Sequence, residues 1–491
     1  MTVHILCITS AGGLPLFTRK RGDGEVLPFS IVASLNGVHM FCKSQNVILK
    51  STSTPDTTFV WEEFEGSIIL VAAASCSNEA TLRKLLNAVF NAMLLMVGVD
   101  DIRNIRNPDR LKRELRVCYP LIDKFMDGMD GSTVSNSSAS ALTTRGKKSN
   151  INSETAEYPC CGNLIGMSET ILSYESNDLM ACLDAYADCL NSQFACLLVY
   201  GRELVSTPAW TDLHPLERQL LTLLTVVSSP STSSDTPIFL PFKSPSIPFR
   251  LIWVLLVPGV SILGLCGPTP SLSEAEHLAL QCWGSSADHL RSITQLAPRN
   301  FPHSIQLDSN VLGFLLINTD VGKYVLSYAA NDKPVWQGAE RTDNNTELGN
   351  PVNAPSSRHR LQVLQTFYHQ AVEPLLLAAD TPNKKEKGDI AKESSPLESY
   401  WCSEYHKCHG IRRNANVLCV LYPSSVPTHT MRMYALRKVK DEFRVNKCET
   451  DPKKIEAFVS LGKENLNSIR RQVIVANLYR ADNLVIEKKI G

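Results

Sequence analysis

The sequence predicts an α+β protein of three successive antiparallel sheets, each covered by helices. Three observations predict it. At ~150 residues per domain, 491 residues make about three domains. One order of elements recurs three times: two short strands about a turn, a helix, further strands, then an amphipathic helix. Polar stretches of low apolar content separate the blocks, and such compositions bury too little to offset backbone ordering.

Strands at 3–8 and 14–18 flank Gly12-Gly13, those at 194–200 and 203–206 flank Gly201-Arg202, and those at 311–317 and 323–328 flank residues 320–322. Each pair reads as a hairpin. Pro28 is a first-turn proline for a helix over 29–41, with Ile31, Leu35, Val38 and Cys42 inward. Its counterparts are 216–227 and 361–377. Further strands are expected at 59–61 and 68–73, at 238–240, 251–257 and 260–265, and at 417–422 and 430–436.

A long helix closes the first block, with Leu82, Leu85, Leu86, Val89, Met93 and Val97 on one face and Gly98 just past its end. Asn107-Pro108 caps another, lined by Leu111, Leu115, Cys118, Ile122 and Phe125 and kinked at Pro120. The second block closes with 272–296 and is preceded by a helix over 170–190. The third closes after Asp451-Pro452, with Ile455, Val459, Leu466, Ile469 and Val473 inward. The expected domains are 1–126, 158–298 and 305–478, with a linker over 127–157, loops at 342–357 and 380–398, and a tail at 479–491.

Charge and cysteine content narrow the function. Lys+Arg and Asp+Glu are 49 each, so the net charge is +0, which disfavours nucleic-acid binding by the chain as a whole. Fifteen cysteines, many in apolar runs and none in a spaced framework, fit free thiols in a reducing cytosol. The uncharged run 251–267 is split by Pro258-Gly259 and fits two buried strands better than a membrane span.

Motifs for catalysis fail inspection. Gly146-Lys147-Lys148-Ser149 lacks the earlier glycine of a phosphate loop, where Ala141 stands, and there is no nucleophile elbow or H-E-x-x-H. Cys402, His406, Cys408 and His409 crowd eight residues, whereas structural zinc sites use separated pairs, so a polar strand edge fits better than a metal site. Vicinal Cys160-Cys161 also lacks a second pair. No cofactor or metal is expected.

Basic residues concentrate twice. Arg103, Arg106, Arg110, Lys112, Arg113 and Arg116 face four anions within 100–116, and residues 432–491 hold fourteen cations against eight anions, a net of +6. Each reads either as a solvated face or as a patch for an acidic partner or anionic headgroups. The helix at 29–41 leaves Phe29, Asn36, His39 and Met40 off its core stripe, as core packing or as interface material. Gly37 in that helix costs ~1 kcal/mol relative to Ala and points to close approach by another element.

The segments LPFSIVASLNGVHMF (27–41) and LLMVGVDDIRNIRNPDRLKREL (94–115) resemble the Fuzzy family of planar-cell-polarity effectors, with further likeness at PIFLPFKSPSIPFRL, LCGPTPSL and TFYHQAV. That family is similar to exchange factors of three tandem longin domains, each a five-stranded antiparallel sheet between one helix and two others. The resemblance implies a non-catalytic subunit that pairs with Inturned and assembles with Wdpcp into the ciliogenesis and planar polarity effector complex. With Inturned it would form an exchange platform for a Rab-family GTPase at the ciliary base, in cytoplasm and cytoskeleton. The alternative is a longin-type trafficking adaptor or tether without exchange activity.

Overall fold

The computed structural model describes residues 2–22, 26–75, 77–129, 164–227, 233–308, 310–328, 357–373, 397–402 and 406–423, with 376, 454, 458 and 460 singly. The chain divides into two units, Met1–Ser424 and Ser425–Gly491. Cys160-Cys161, the strand expected at 430–436, nearly all of the last expected helix and most of the linker and the two loops lie outside the described residues, but 127–129 of the expected linker are helical, and residues 357 and 397–398 of the expected loops start a helix and a strand. The first unit is as follows.

Its opening sheet is antiparallel, in the order β2 (Pro15–Arg21), β1 (Val3–Thr9), β5 (Ile68–Ser75), β4 (Thr57–Phe64), β3 (Ser51–Ser53). Alternation along β1 and β5 sends Val3, Ile5, Cys7, Ile68, Leu70 and Ala72 to one face and Leu6, Ile8, Ile69 and Val71 to the other. Helix α1 (Phe29–Ser44) covers the second face. Helix α2 (Glu79–Val97) packs on the first, and α3 (Val99–Arg103), α4 (Pro108–Glu114) and α5 (Tyr119–Met129) follow.

Asn78 caps α2 by accepting from the Thr81 amide at 2.7 Å, and Asn107 caps α4 by accepting from Asp109 and Arg110. Gly98 ends α2 at φ 83 and ψ 162, a conformation open only to glycine. A 3₁₀ turn, Leu115–Cys118, separates α4 from α5 where a kink at Pro120 is expected. Proline lacks the N–H that a continuous helix needs.

The second sheet has the same plan: β8 (Arg202–Ser206), β7 (Ala195–Val199), β11 (Val260–Cys266), β10 (Ser244–Val257), β9 (Ser234–Leu240). The uncharged run is thus a hairpin, with Val257 paired to Val260 across Pro258-Gly259. Around the sheet lie α6 (Ser176–Cys189), the short α7 (Pro208–Thr211), α8 (Pro215–Val227), α9 (Leu272–Trp283) and α10 (Ala287–Thr294). The single closing helix expected over 272–296 is two helices joined by a 3₁₀ turn at Gly284–Ser286. A capping box between Ser271 and Glu274 starts α9.

One apolar core runs through both domains. It joins α2 and α5 to α8 and to Ile238 and Leu240 of β9. This is why α2 is buried nearly all round, including Ala88, Phe90, Ala92, Leu94 and Leu95 outside the expected stripe.

The third sheet has six strands: β14 (Leu397–Cys402), β15 (His406–Arg413), β16 (Asn416–Pro423), β12 (Gly313–Asn318), β13 (Lys323–Ser327) and β6 (Ser168–Glu169). Helix α11 (Ser357–Phe367), continued by a π turn at Tyr368–Val372, covers it. Strand β6 pairs parallel to β13, an addition to the five antiparallel strands expected. Ser168 and Glu169, read in the sequence as part of the second domain, therefore belong to the third sheet, and Leu164 packs into its core. Pairing between strands so distant in sequence leaves no local trace.

Charged groups knit the seam around β6. Arg202 donates to Glu169 at 2.5 Å, Lys323 meets Glu203 at 3.0 Å, and Arg218 of α8 donates to the Val321 carbonyl. The backbone amides of Ser168 and Thr170 donate to Gly322 and Tyr324, and that of Ile171 donates to Glu203. Gln219 of α8 accepts from the Gly166 amide and donates to the Leu164 carbonyl.

Candidate docking surface on the first domain

Helix α1 differs from the other helices in what covers it. Its inward residues are Val32, Leu35, His39 and Cys42, packed with Leu27, Leu49 and Phe59 over Leu6, Ile8, Trp61, Ile69 and Val71. The stripe expected from spacing was Ile31, Leu35, Val38 and Cys42. Ile31 and Val38 are instead exposed, Val38 at 51%. The helix sits about one residue further round than its apolar spacing indicates, because apolar residues occur on every side of it and no single stripe sets its rotation.

Two elements fix that rotation. Gly13, at φ 63, closes the β1–β2 turn, and a Cβ there would lie 2.0 Å from Nδ2 of Asn36, so a side chain there would displace Asn36 and strain the turn. At the other end Lys43 Nζ donates to both Glu63 oxygens of β4, at 2.9 and 3.1 Å, and also favours the helix C-terminus. His39 lies against the sheet, and burial holds its pKa below the ordinary histidine value, so it is neutral at pH 7. Asn36 and His39, named with Phe29 and Met40 as interface candidates, thus serve to seat the helix.

Phe29 and Met40 are exposed, and they have company. Among the described residues twenty large apolar side chains are exposed, and eight lie between Val26 and Ile48: Val26, Phe29, Ile31, Val38, Met40, Phe41, Val47 and Ile48. Phe29 is 75% exposed, Phe41 67% and Ile48 82%. Scattered exposed leucines need no explanation, but such concentration marks an interaction site. The line of the helix pointing straight out carries Ser30, Ala33, Ser34 and Gly37, with open space where a Gly37 Cβ would stand. Small residues flanked by apolar ones let another backbone approach closely.

The basic candidates are not one patch of free charge. Arg103 donates to Glu65 at 2.5 Å, Arg110 to Glu114 at 2.8 Å, and Arg113 to the Asp109 carbonyl. Arg106, Lys112 and Arg116 are exposed and make no ion pair among the described residues. A cleft of about 300 Å³ beside α3 and α4 mixes Arg106 and Arg110 with Asp100, Asp101 and Glu114, which suits no single sign of ligand. Cys402 and Cys408 fall on neighbouring strands β14 and β15 rather than one edge; Cys408 and His406 are buried and Cys402 exposed. No group of three or more metal-ligating side chains with suitable geometry occurs among the described residues.

Two five-stranded antiparallel sheets, each with a helix after its first hairpin and helices after its last strand, followed by a third, largely antiparallel sheet with a helix after its first hairpin, define a tandem longin scaffold. Family models agree. Residues 3–125, 190–284 and 310–440 match the first, second and third longin domains of FUZ, MON1 and HPS1. The chain is 33% identical to the protein fuzzy homolog of Xenopus tropicalis over 441 residues, 89% of this chain and 97% of the relative. It is 31% identical to the human protein fuzzy homolog over 448 residues, 88% and 96% of the two chains. Residues 424–468 match a different model, the complex 1 protein (LYR family), and 64 residues are 52% identical to the LYR motif-containing protein 4 homolog of Drosophila subobscura, 13% of this chain and 70% of that one. The chain belongs to the Fuzzy family and carries a LYR-family segment in its C-terminal part.

The Fuzzy family is not a recognised catalytic family. The LYR match overlaps the end of the third longin match and covers most of the final helix that the sequence assigned to the third domain. The sequence reading of the elements does not separate this segment from the third domain.

Proposed function

We propose that this chain is a scaffold subunit that pairs through its first domain with an Inturned-like longin protein and, with Wdpcp, presents a nucleotide-exchange platform for a Rab-family GTPase in cilium assembly at the ciliary base. One observation carries the pairing: the outer face of α1 is apolar and uncovered among the described residues. Apolar side chains left in solvent along both flanks of a helix are interface material, and pairing with another chain would bury them. Longin subunits offer helices and strand edges for this purpose. The borders of the first sheet, β2 and β3, each bond to one neighbour only among the described residues. Exchange makes no covalent bond; it needs only a surface that binds the nucleotide-poor GTPase more tightly than the loaded one.

Co-purification with Inturned, followed by GDP release from Rab proteins, tests this reading. The wild-type chain is expected to form a stoichiometric pair that accelerates release. A chain that stays monomeric overturns the pairing. A pair that forms and leaves GDP release unchanged selects the longin adaptor or tether without exchange activity.

A further inference from the structure

The second domain has a cleft of about 240 Å³ whose polar groups neither the docking surface nor the cores use. Three chain segments form it: 173–175, where the chain enters α6, 292–296 across the end of α10, and 302–304 in the loop that follows. Asn300 fixes that loop. Its backbone amide donates to the Leu296 carbonyl, its side chain donates to the Leu326 carbonyl of β13 at 2.6 Å, and its own carbonyl accepts from the Leu172 amide. The walls are thus held by hydrogen bonds that reach the third sheet, and the cleft is preformed.

Among the described residues that line it, Glu175 is the one acid, and there is no lysine or arginine. Glu175 stands at the cap position of α6 yet makes no capping hydrogen bond, and its Oε2 is buried without a hydrogen-bond partner among the described residues. A buried polar atom left unbonded is costly and calls for a partner. Arg299, in the same loop, is committed elsewhere: its guanidinium lies 4.1 Å from the centre of the Phe301 ring and donates to the Ile305 carbonyl. The rest of the lining suits a long side chain. Ile293, Leu296 and Pro302 supply apolar wall, and Ser304 donates to the Tyr174 hydroxyl at 2.8 Å, which leaves that hydroxyl's own proton available. Tyr174 is 68% exposed, and Leu172 and Ile305, close by in sequence, are exposed as well.

The geometry points to a recognition site for an arginine side chain projecting from a partner protein. The guanidinium pairs with the Glu175 carboxylate, and the aliphatic stem lies along Ile293 and Leu296. The exposed ring of Tyr174 stacks on the planar head, while Leu172 and Ile305 meet apolar residues that flank the arginine in the partner. Arginine fits better than lysine for two reasons. Its fork satisfies both carboxylate oxygens at once, and its weakly hydrated plane gives up less solvent on entering a partly apolar cleft.

The test uses the purified full-length chain with N-acetyl-arginine amide as probe, read by saturation-transfer NMR on the probe. The expected result is binding that N-acetyl-citrulline amide, of the same shape without the charge, does not displace. Glu175→Gln keeps the size and removes the charge, and is expected to weaken binding about tenfold or more. Tyr174→Ala, at an exposed ring, is expected to weaken it about threefold. Both variants are expected to keep the wild-type thermal midpoint, so that lost binding reports the cleft and not the fold. A pentapeptide with leucine on each side of a central arginine is expected to bind more tightly than the arginine amide; equal binding would mark a site for the free amino acid and overturn the assignment to a protein partner. No transfer to the arginine probe, equal binding of the citrulline or lysine amide, or unchanged binding in Glu175→Gln overturns the proposal as a whole.

Discussion

The first sheet is sandwiched between two helices of similar character and opposite circumstance. Helix α2 is apolar on nearly every side, and α1 carries apolar side chains on both flanks of an outer line of small residues. The outer side of α2 is closed by the second domain, through α8 and β9, and by the third, where Thr81 and Lys84 meet Glu373. The outer side of α1 keeps Phe29, Val38 and Phe41 in solvent. One face of the sheet therefore carries a helix closed by the neighbouring domains, and the other a helix that no described residue covers.

The same substitution in both helices gives the sharpest contrast. Val89→Asp in α2 buries an unpaired charge and is expected to cost about 4 kcal/mol or more, enough to abolish the cooperative urea transition of the full chain. A folded Val89→Asp variant with an unshifted midpoint would break the comparison at its root.

Next is the polar tie that α2 makes. Burial alone would raise the Glu373 pKa, but hydrogen bonds and charges from His369 and Lys84 outweigh it and hold the carboxyl below its ordinary value. A folded pKa below the unfolded one stabilises fully above the ordinary carboxylate range, and that stabilisation drains away as pH falls through it. Glu373→Gln is expected to cost about 1.5–3 kcal/mol at neutral pH. It should also flatten the acid limb of stability against pH, read as urea midpoints from pH 7 down to 3.

At the end of α2, Gly98 meets the Phe239 ring, whose Cζ would lie 2.9 Å from any Cβ there. Gly98→Ala combines that clash with a left-handed backbone and is expected to cost about 1–3 kcal/mol by thermal denaturation. The smallest effect on folding belongs to α1. Val38→Asp is expected to change stability by no more than about 0.5 kcal/mol. Yet it should weaken pairing with the longin partner at least tenfold in pull-down titrations. Unchanged pairing would move the docking surface off α1.

Most of the architecture was legible in the residues, for reasons that differ by element. The hairpins announce themselves through Gly12-Gly13 and Gly201-Arg202, and the uncharged run through Pro258-Gly259. Helix starts follow from Asn107-Pro108, and Gly98 marks the end of α2. The rotation of α1 was not legible, because Ile31, Val32, Leu35 and Val38 offer competing stripes and the choice rests on Gly13 and Glu63, distant in sequence. Nor was the hairpin of β14 and β15, whose Cys402, His406, Cys408 and His409 crowd together in sequence when the turn between the strands is not known. Glu169, Arg202, Glu203 and Arg218 carry no local sign of burial; the meeting of two sheets buries them. Of the exposed apolar residues around α1, Phe29 and Met40 stand off the expected stripe in the sequence, whereas the exposure of Ile31 and Val38 depends on the rotation of the helix and that of Val47 and Ile48 on the turn beyond it.

Strand β6 has a consequence for inheritance. Its residues precede the whole second domain in the chain, yet they complete a sheet whose other strands come more than a hundred residues later. A gene segment beginning at the third domain would encode a sheet with a bare β13 flank and an orphaned Lys323. The two later domains are therefore not interchangeable cassettes: recombination that moves one must carry its neighbour along, and any laboratory truncation between them severs a single folded object.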